Sequence, residues 1–155
     1  CEKDGIPILR RCSGGGTVVQ GPGCLNYAVI LRTDGNRCIS TIQLTNEYVL
    51  GKNGHALSCL VPGISIQGIS DLVIDGNPPL KVSGNAQKRI KNTVLVHGTF
   101  LLDFNLSKVA SWLKMPTKQP DYRGNRDHLS FITNLGISAQ KIKEVMIKEW
   151  IQEKI

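Results

Sequence analysis

Apolar positions along the chain change period more than once, and the changes mark its elements. Ile6-Pro7-Ile8-Leu9 is a short apolar run that enters Arg10-Arg11, and Leu25 to Leu31 is a longer one carrying Tyr27, Val29 and Ile30. Both predict strands. From Ile39 to Leu50 the positions Ile39, Ile42, Val49 and Leu50 suit a helix, closed by Gly51 and the turn-prone Asn53-Gly54. The period then shortens. Leu57 to Val61, Ile64 to Ile66, Leu72 to Ile74, Leu80 to Val82 and Val94 to Leu102 are brief apolar or alternating runs, separated by Pro62-Gly63, Gly76-Asn77-Pro78-Pro79 and Asn92. Asn105 is placed to cap a short helix with Leu106, Val109, Ala110 and Leu113 on one face, ending before Pro116. Ser138 precedes a last helix in which Ile142, Val145, Met146 and Trp150 line one side, a stripe that reads as core packing. Strands outnumber helices, so the expected class is α+β, a mixed and mostly antiparallel sheet with a few flanking helices.

The 155 residues suit one domain, taken as 1–155, and 41% hydrophobic with 20% charged residues is ordinary for a folded chain. No apolar run reaches bilayer length, and Cys1-Glu2-Lys3-Asp4 lacks the charged-then-apolar order of a signal peptide; the expectation is a cytoplasmic protein with no membrane partner. Cys1, Cys12, Cys24, Cys38 and Cys59 are odd in number and form no C-x-x-C pair, so reduced thiols are expected.

Net charge is +7, and residues 81–126 hold nine Lys and Arg against Asp103 and Asp121, while the rest of the chain is balanced. Such a stretch suits nucleotide phosphates, an acidic partner protein, nucleic acid or a plain solvated face, and charge alone does not choose. No recognition motif or series of stacking aromatics accompanies it, which argues against nucleic acid.

Two constellations have chemical potential. In Arg10-Arg11-Cys12-Ser13-Gly14-Gly15-Gly16, two guanidiniums precede a run of unsubstituted amides, a cradle for phosphate or carboxylate as well as an ordinary glycine turn. No Gly-Lys-Ser/Thr follows, so it is not a Walker loop. In the second, Asp71 opens one predicted strand and Lys81 begins the next, so that carboxylate and ammonium lie side by side across a hairpin. Lys81 there neutralises phosphate oxygens and Asp71 offers a magnesium ligand; the plain alternative is an edge lysine and a turn aspartate.

Arg10-Arg11-x-Ser13-Gly14-Gly15-Gly16-Thr17-Val18, Ser70-Asp71-Leu72, Lys81-x-Ser83-Gly84-Asn85-Ala86-Gln87, His97-Gly98-Thr99 and Tyr122-Arg123-x-x-Arg126-x-His128 resemble, in order, motifs of the biotin/lipoate A/B protein ligase family, nearest its lipoate-ligase branch. The resemblance implies a biotin/lipoate ligase-like catalytic domain that is amino-terminally incomplete. It implies a lipoate-protein ligase, which uses ATP and Mg2+ to turn lipoate into lipoyl-adenylate and transfers the acyl group to a lysine of a lipoyl-carrier domain. Implied carriers are a 2-oxoacid dehydrogenase E2 or a glycine cleavage H-type protein, with a separate accessory domain or the missing amino-terminal segment as a further partner.

Carried over by position, Lys81 is the implied catalytic residue. Arg11, Ser13, Gly14, Gly15, Gly16, Thr17, Val18, Val19, Lys81, Ser83, Gly84, Asn85 and His97 are implied to bind nucleotide and acyl group, with Asp71 at the magnesium position. His97 suits structural support as readily as catalysis. Gln20 stands where many relatives have histidine. Two alternatives are an octanoyl or lipoyl transferase working from an acyl carrier without ATP, and a non-catalytic acyl- or nucleotide-binding remnant. The transferase branch uses a cysteine beside a proline, where this chain has Met115-Pro116; Cys59 reads as a buried structural thiol.

Overall fold

The computed structural model describes residues 1–151, the side chain of Glu2 excepted. Its centre is a sheet of β1 (Cys24–Arg32), β2 (Ile64–Gln67), β3 (Asp71–Ile74), β4 (Leu80–Ile90) and β5 (Thr93–Leu101), ordered β1-β5-β4-β3-β2. All four ladders are antiparallel, and among the described residues parallel pairing is confined to an isolated bridge between Lys81 and Ile132. The helices are α1 (Ile42–Ser58), α2 (Ser107–Trp112) and α3 (Ala139–Ile151). None is long and apolar enough to cross a membrane.

The sheet has one covered face and one open face, and alternation along the strands sets them. Val94, Val96 and Phe100 of β5 are fully buried, and burying each such side chain stabilises the fold by about 1.5–3 kcal/mol. Leu50 and Leu57 of α1 and Ile142 of α3 pack on Leu72, Val82 and Phe100, while Ile39 and Val49 pack on Val94 and Val96. Tyr27 of β1 stacks on Phe100 with ring centroids 5.3 Å apart. On the opposite face the register aligns Asn26 with Thr99, Ala28 with His97, and Gly84 with Thr99. That open face carries the candidate chemistry.

Several expected boundaries move. Ile6 to Leu9 is not a strand: Ile8 and Leu9 are exposed and the segment has no ladder partner among the described residues. The helix expected over Ile39 to Leu50 begins later, at Ile42, because Thr41 caps it by accepting from the Leu44 amide at 3.1 Å, and Ile39 ends a separate 3-10 turn. It also runs through Gly51 and Gly54 to Ser58, so Leu57 is helical and not strand. A helical glycine costs about 1 kcal/mol relative to alanine, and the packing of this helix overrides that cost. Asn53, read as a turn residue, is buried and accepts from Trp150 Nε1 of α3 at 2.9 Å. The helix α2 starts one residue later than Asn105 capping would place it, with Leu106 at its N-cap and no side-chain cap bond; Asn105 Oδ1 accepts from the Ser107 amide at 3.1 Å just ahead of it, and no α2 residue is fully buried.

One irregularity decides where the chemistry lies. Leu72 pairs with Ser83 and Val73 with Lys81, so Val82 is an extra residue in β4, a bulge opposite the Leu72/Val73 step. Side chains alternate with a strict period of two, and one inserted residue reverses every face beyond it. Ser83 and Asn85 share the helix-covered face with Phe100 and Gly98, their register partners. Were Val82 paired regularly, Lys81 would join them; with Val82 bulged out of register, Lys81 shares the open face with Asp71.

Candidate active site

Lys81 is held at both backbone groups by a segment far along the chain. Its amide donates to Phe131 O and its carbonyl accepts from the Thr133 amide, each at 2.9 Å. Its ammonium lies 2.8 Å from Asp71 Oδ1, and the second carboxylate oxygen accepts from Tyr122 OH at 2.8 Å. The expected carboxylate-ammonium pair across the β3–β4 hairpin is therefore formed. Gly84 makes room for it: a Cβ there would stand 3.1 Å from both Cε and Nζ of Lys81. The Phe131 ring lies 6.0 Å from Nζ and is flanked by the Arg123 and Arg126 guanidiniums at 4.5 and 5.3 Å. Burial, followed by the Asp71 carboxylate, pushes the Tyr122 phenol above its ordinary range, so it stays protonated and donates.

The glycine-rich segment lies over the same open face. Ser13 Oγ and His97 Nε2 share a hydrogen bond of 2.6 Å, and Gln20 Nε2 donates to Thr99 Oγ1 at 2.8 Å. Arg11 closes the turn from within, donating to Gly14 O from Nε at 3.1 Å and from Nη2 at 2.7 Å, and to Gly16 O at 2.7 Å. Gly15, at φ +98°, has the guanidinium where a Cβ would project, 2.7 Å from Nη2. The carbonyls of the turn thus face Arg11, and among the described residues no backbone N–H from Cys12 to Gln20 donates to a protein acceptor. Free amides beside a guanidinium suit an anion. Burial first, and then the Arg11 charge, lower the His97 imidazole from its ordinary value, which keeps it neutral.

Of the residues named from sequence, Arg11, Ser13, Gly14, Gly15, Gly16, Lys81, Gly84, Asp71 and His97 gather on or over the open face. Thr17, Val18 and Val19 continue the loop toward Gln20, with Val18 exposed. Ser83 and Asn85 differ: Ser83 is fully buried, and Asn85 Oδ1 accepts from Tyr27 OH on the covered face at 2.7 Å. Tyr122 was legible in its motif without a role, while Phe131 carried no signal, because only the parallel bridge to Lys81 brings it here.

The residues do not fit a protein-built magnesium site. Both oxygens of Asp71 are engaged by a cation and a phenol, and among the described residues no group of three His, Cys, Asp or Glu is arranged around a metal. Magnesium carried mainly by substrate phosphates needs few protein ligands.

The basic stretch also divides. Arg89 donates to Ile39 O, Ser40 O and Thr45 Oγ1 at the start of α1. Arg123 and Arg126 brace their own loop, each Nε donating to the other's carbonyl at 2.9 Å. Lys88, Lys91, Lys114 and Lys118 remain exposed. All five cysteines are free thiols; Cys59 is exposed and not buried as expected, because it lies at the C-cap of α1, where it donates to Ala56 O at 3.2 Å, away from the open face.

An antiparallel sheet with α1 and α3 packed on one side is a fold shared with solved lipoate-protein ligases. The bi-partite lipoate protein ligase of Thermoplasma acidophilum, solved with its E2 lipoyl domain, matches it with a TM-score of 0.80 at 22% identity, over 97% of this chain and 59% of that one. A lipoate-protein ligase A bound with ATP matches at 0.71 and 22%, over 97% and 60%. Sequence goes further than fold. Lipoate-protein ligase LplJ of Bacillus subtilis (strain 168) is 32% identical over 134 residues, 86% of this chain but 38% of the relative. The model of the lipoyl protein ligase A/B catalytic domain matches residues 1–153, and the chain belongs to that family. It spans less than two thirds of each of these three relatives.

Proposed function

We propose that this chain carries the acyl-activating site of a lipoate-protein ligase, which joins lipoate to AMP and passes the lipoyl group to a lysine of a lipoyl-carrier domain. The observation that carries the reading is the Lys81 ammonium, held 2.8 Å from Asp71 on the same sheet face as the Ser13–His97 contact and the Arg11-braced turn. A relative named as a lipoate-protein ligase, a neighbour bound with ATP and another solved with its E2 lipoyl domain support substrate, cofactor and partner class.

In the first step a lipoate carboxylate oxygen attacks the α-phosphorus of ATP, the bond to the β-phosphate oxygen breaks, and pyrophosphate leaves. Negative charge builds on the α-phosphate oxygens, where Lys81 and the free amides of the Ser13 to Gly16 turn offset it. Such preorganised donors are worth about 10²–10³ in rate each. In the second step the neutral amine of the carrier lysine attacks the acyl carbonyl, AMP leaves, and the amine proton passes to solvent. The incoming amine is the nucleophile, so the protein supplies none. Asp71, fixed by Tyr122, keeps the Lys81 ammonium from turning away, and neutral His97 holds Ser13 over the sheet. Magnesium, when bound with ATP, would screen the phosphate charge.

The test is pyrophosphate release by the full-length protein, which should require both lipoate and ATP. Labelling of a carrier domain from an octanoyl-carrier without ATP would replace this reading with the transferase.

A further inference from the structure

Four motif residues that touch no solvent-facing chemistry interlock beneath the sheet. Asn85 lies on the helix-covered face of β4, where Oδ1 accepts from Tyr27 OH at 2.7 Å and from Ser83 Oγ at 3.3 Å. Its Nδ2 donates to Ser70 O at 2.8 Å, and its own amide donates to the same carbonyl at 3.1 Å. Ser70 is the residue directly before Asp71. Asn85 reaches it by filling the space that Gly98 leaves open: a Cβ on Gly98 would overlap the Asn85 amide and stand 2.8 Å from Tyr27 Cε1. Tyr27 is itself held, stacked on Phe100, with its phenol raised by burial and partly lowered by Asn53 beside it.

We infer that Asn85 is a positioning residue, which sets Asp71 and through it the Lys81 ammonium from the far side of the sheet. The geometry accounts for the link. Asn85 follows the Val82 bulge, which interrupts the β3–β4 ladder between Lys81 and Ser83. One end is fixed by the backbone bonds of Lys81 to Phe131 and Thr133, and the other by the doubled bond of Asn85 to Ser70. The Asp71 end of the pair is thereby tied to one amide side chain, while the Lys81 end is held by Phe131 and Thr133. Losing the side-chain half of that doubled bond loosens the turn that carries Asp71. Asn85 itself meets no substrate. Its position in the motif reflects the pose of the lysine, and Gly98 is glycine because the amide needs the room.

The experiment uses the full-length protein and two readouts. Acetic anhydride labelling of Lys81, read by peptide mass spectrometry without nucleotide, is independent of turnover. In Asn85→Ala the label should enter Lys81 several-fold faster while labelling of exposed Lys88 is unchanged. The second readout rests on the lipoate-ligase reading: kcat for pyrophosphate release should fall about tenfold with KM for ATP held within roughly twofold. Asn85→Asp keeps the size and the acceptor for Tyr27 but puts an oxygen against Ser70 O, and should do the same if the alanine variant does not fold. Wild-type labelling of Lys81 in a folded variant overturns the inference even if kcat falls, since that loss would place Asn85 against substrate. Faster labelling with a wild type that releases no pyrophosphate leaves the inference standing and removes the functional reading.

Discussion

Ser13 Oγ and His97 Nε2 lie 2.6 Å apart, and this contact fastens the glycine-rich turn to the open face of the sheet. The imidazole sits below its ordinary value of 6.5 because burial and the Arg11 charge both disfavour its cation. With the folded value depressed, the unfolded chain binds more protons once pH drops beneath that ordinary value. The stability due to His97 is therefore complete above it and is lost as pH falls through the folded value. We expect thermal midpoints measured between about pH 7 and 5 to fall more steeply in the wild type than in His97→Gln. Parallel slopes would show that His97 does not link the turn to pH.

Removing the Lys81 amine should abolish activation without unfolding the protein. Its side chain is 26% exposed, so Lys81→Ala is expected to keep its melting temperature within a few degrees. Lipoyl-adenylate formation should drop by roughly 10²–10³, the scale for one electrostatic donor. Near-normal adenylate in a coupled assay would take Lys81 out of the chemistry.

Asp71→Asn keeps the size of the side chain and an acceptor for one partner but removes the charge facing Lys81. Loss of a charge-assisted bond costs about 1.5–3 kcal/mol where the partner stays desolvated, and the effect should appear mainly in kcat. Tyr122→Phe, which strips one bond from the carboxylate, should give a smaller loss in the same direction. Steady-state kinetics on both variants decide whether the three groups act together.

Carrier transfer should be salt-sensitive, and activation much less so. Lys114 and Lys118 are exposed and make no ion pair among the described residues. Reversing both to Glu is expected to slow acylation of an acidic lipoyl domain severalfold, with pyrophosphate release unchanged, and to flatten its dependence on ionic strength. Equal salt slopes for the variant and the wild type would point to docking elsewhere.

Trp150→Phe tests the unexpected persistence of α1 past its glycines. It leaves buried Asn53 Oδ1 without its donor, at a cost of about 1–3 kcal/mol, which chemical denaturation resolves. Catalysis should be untouched, since the bond lies on the covered face.

Much of this was readable in advance, and the exceptions share a cause. The alternation of β5 and the turn between Asp71 and Lys81 are local signals, so the strands and the ion pair followed from spacing. Gly51, Asn53 and Gly54 are equally local, but there the contacts to Trp150, Ile64 and Leu72 outweigh turn preference. Asn85 misleads for another reason: it shares a motif with Lys81, yet Val82 separates their faces. The role of Arg89 rests on carbonyls at the start of α1, and those of Arg123 and Arg126 on carbonyls of their own loop, which charge counting does not reveal.

Val82 also makes the chemistry separable from the architecture. A descendant that gained one residue in β3 opposite Val82 would pair the two strands regularly, and strict alternation would then turn its lysine inward among hydrocarbon. Inheritance of the shape is thus no guarantee of inherited reactivity, and one codon in a strand marks the difference.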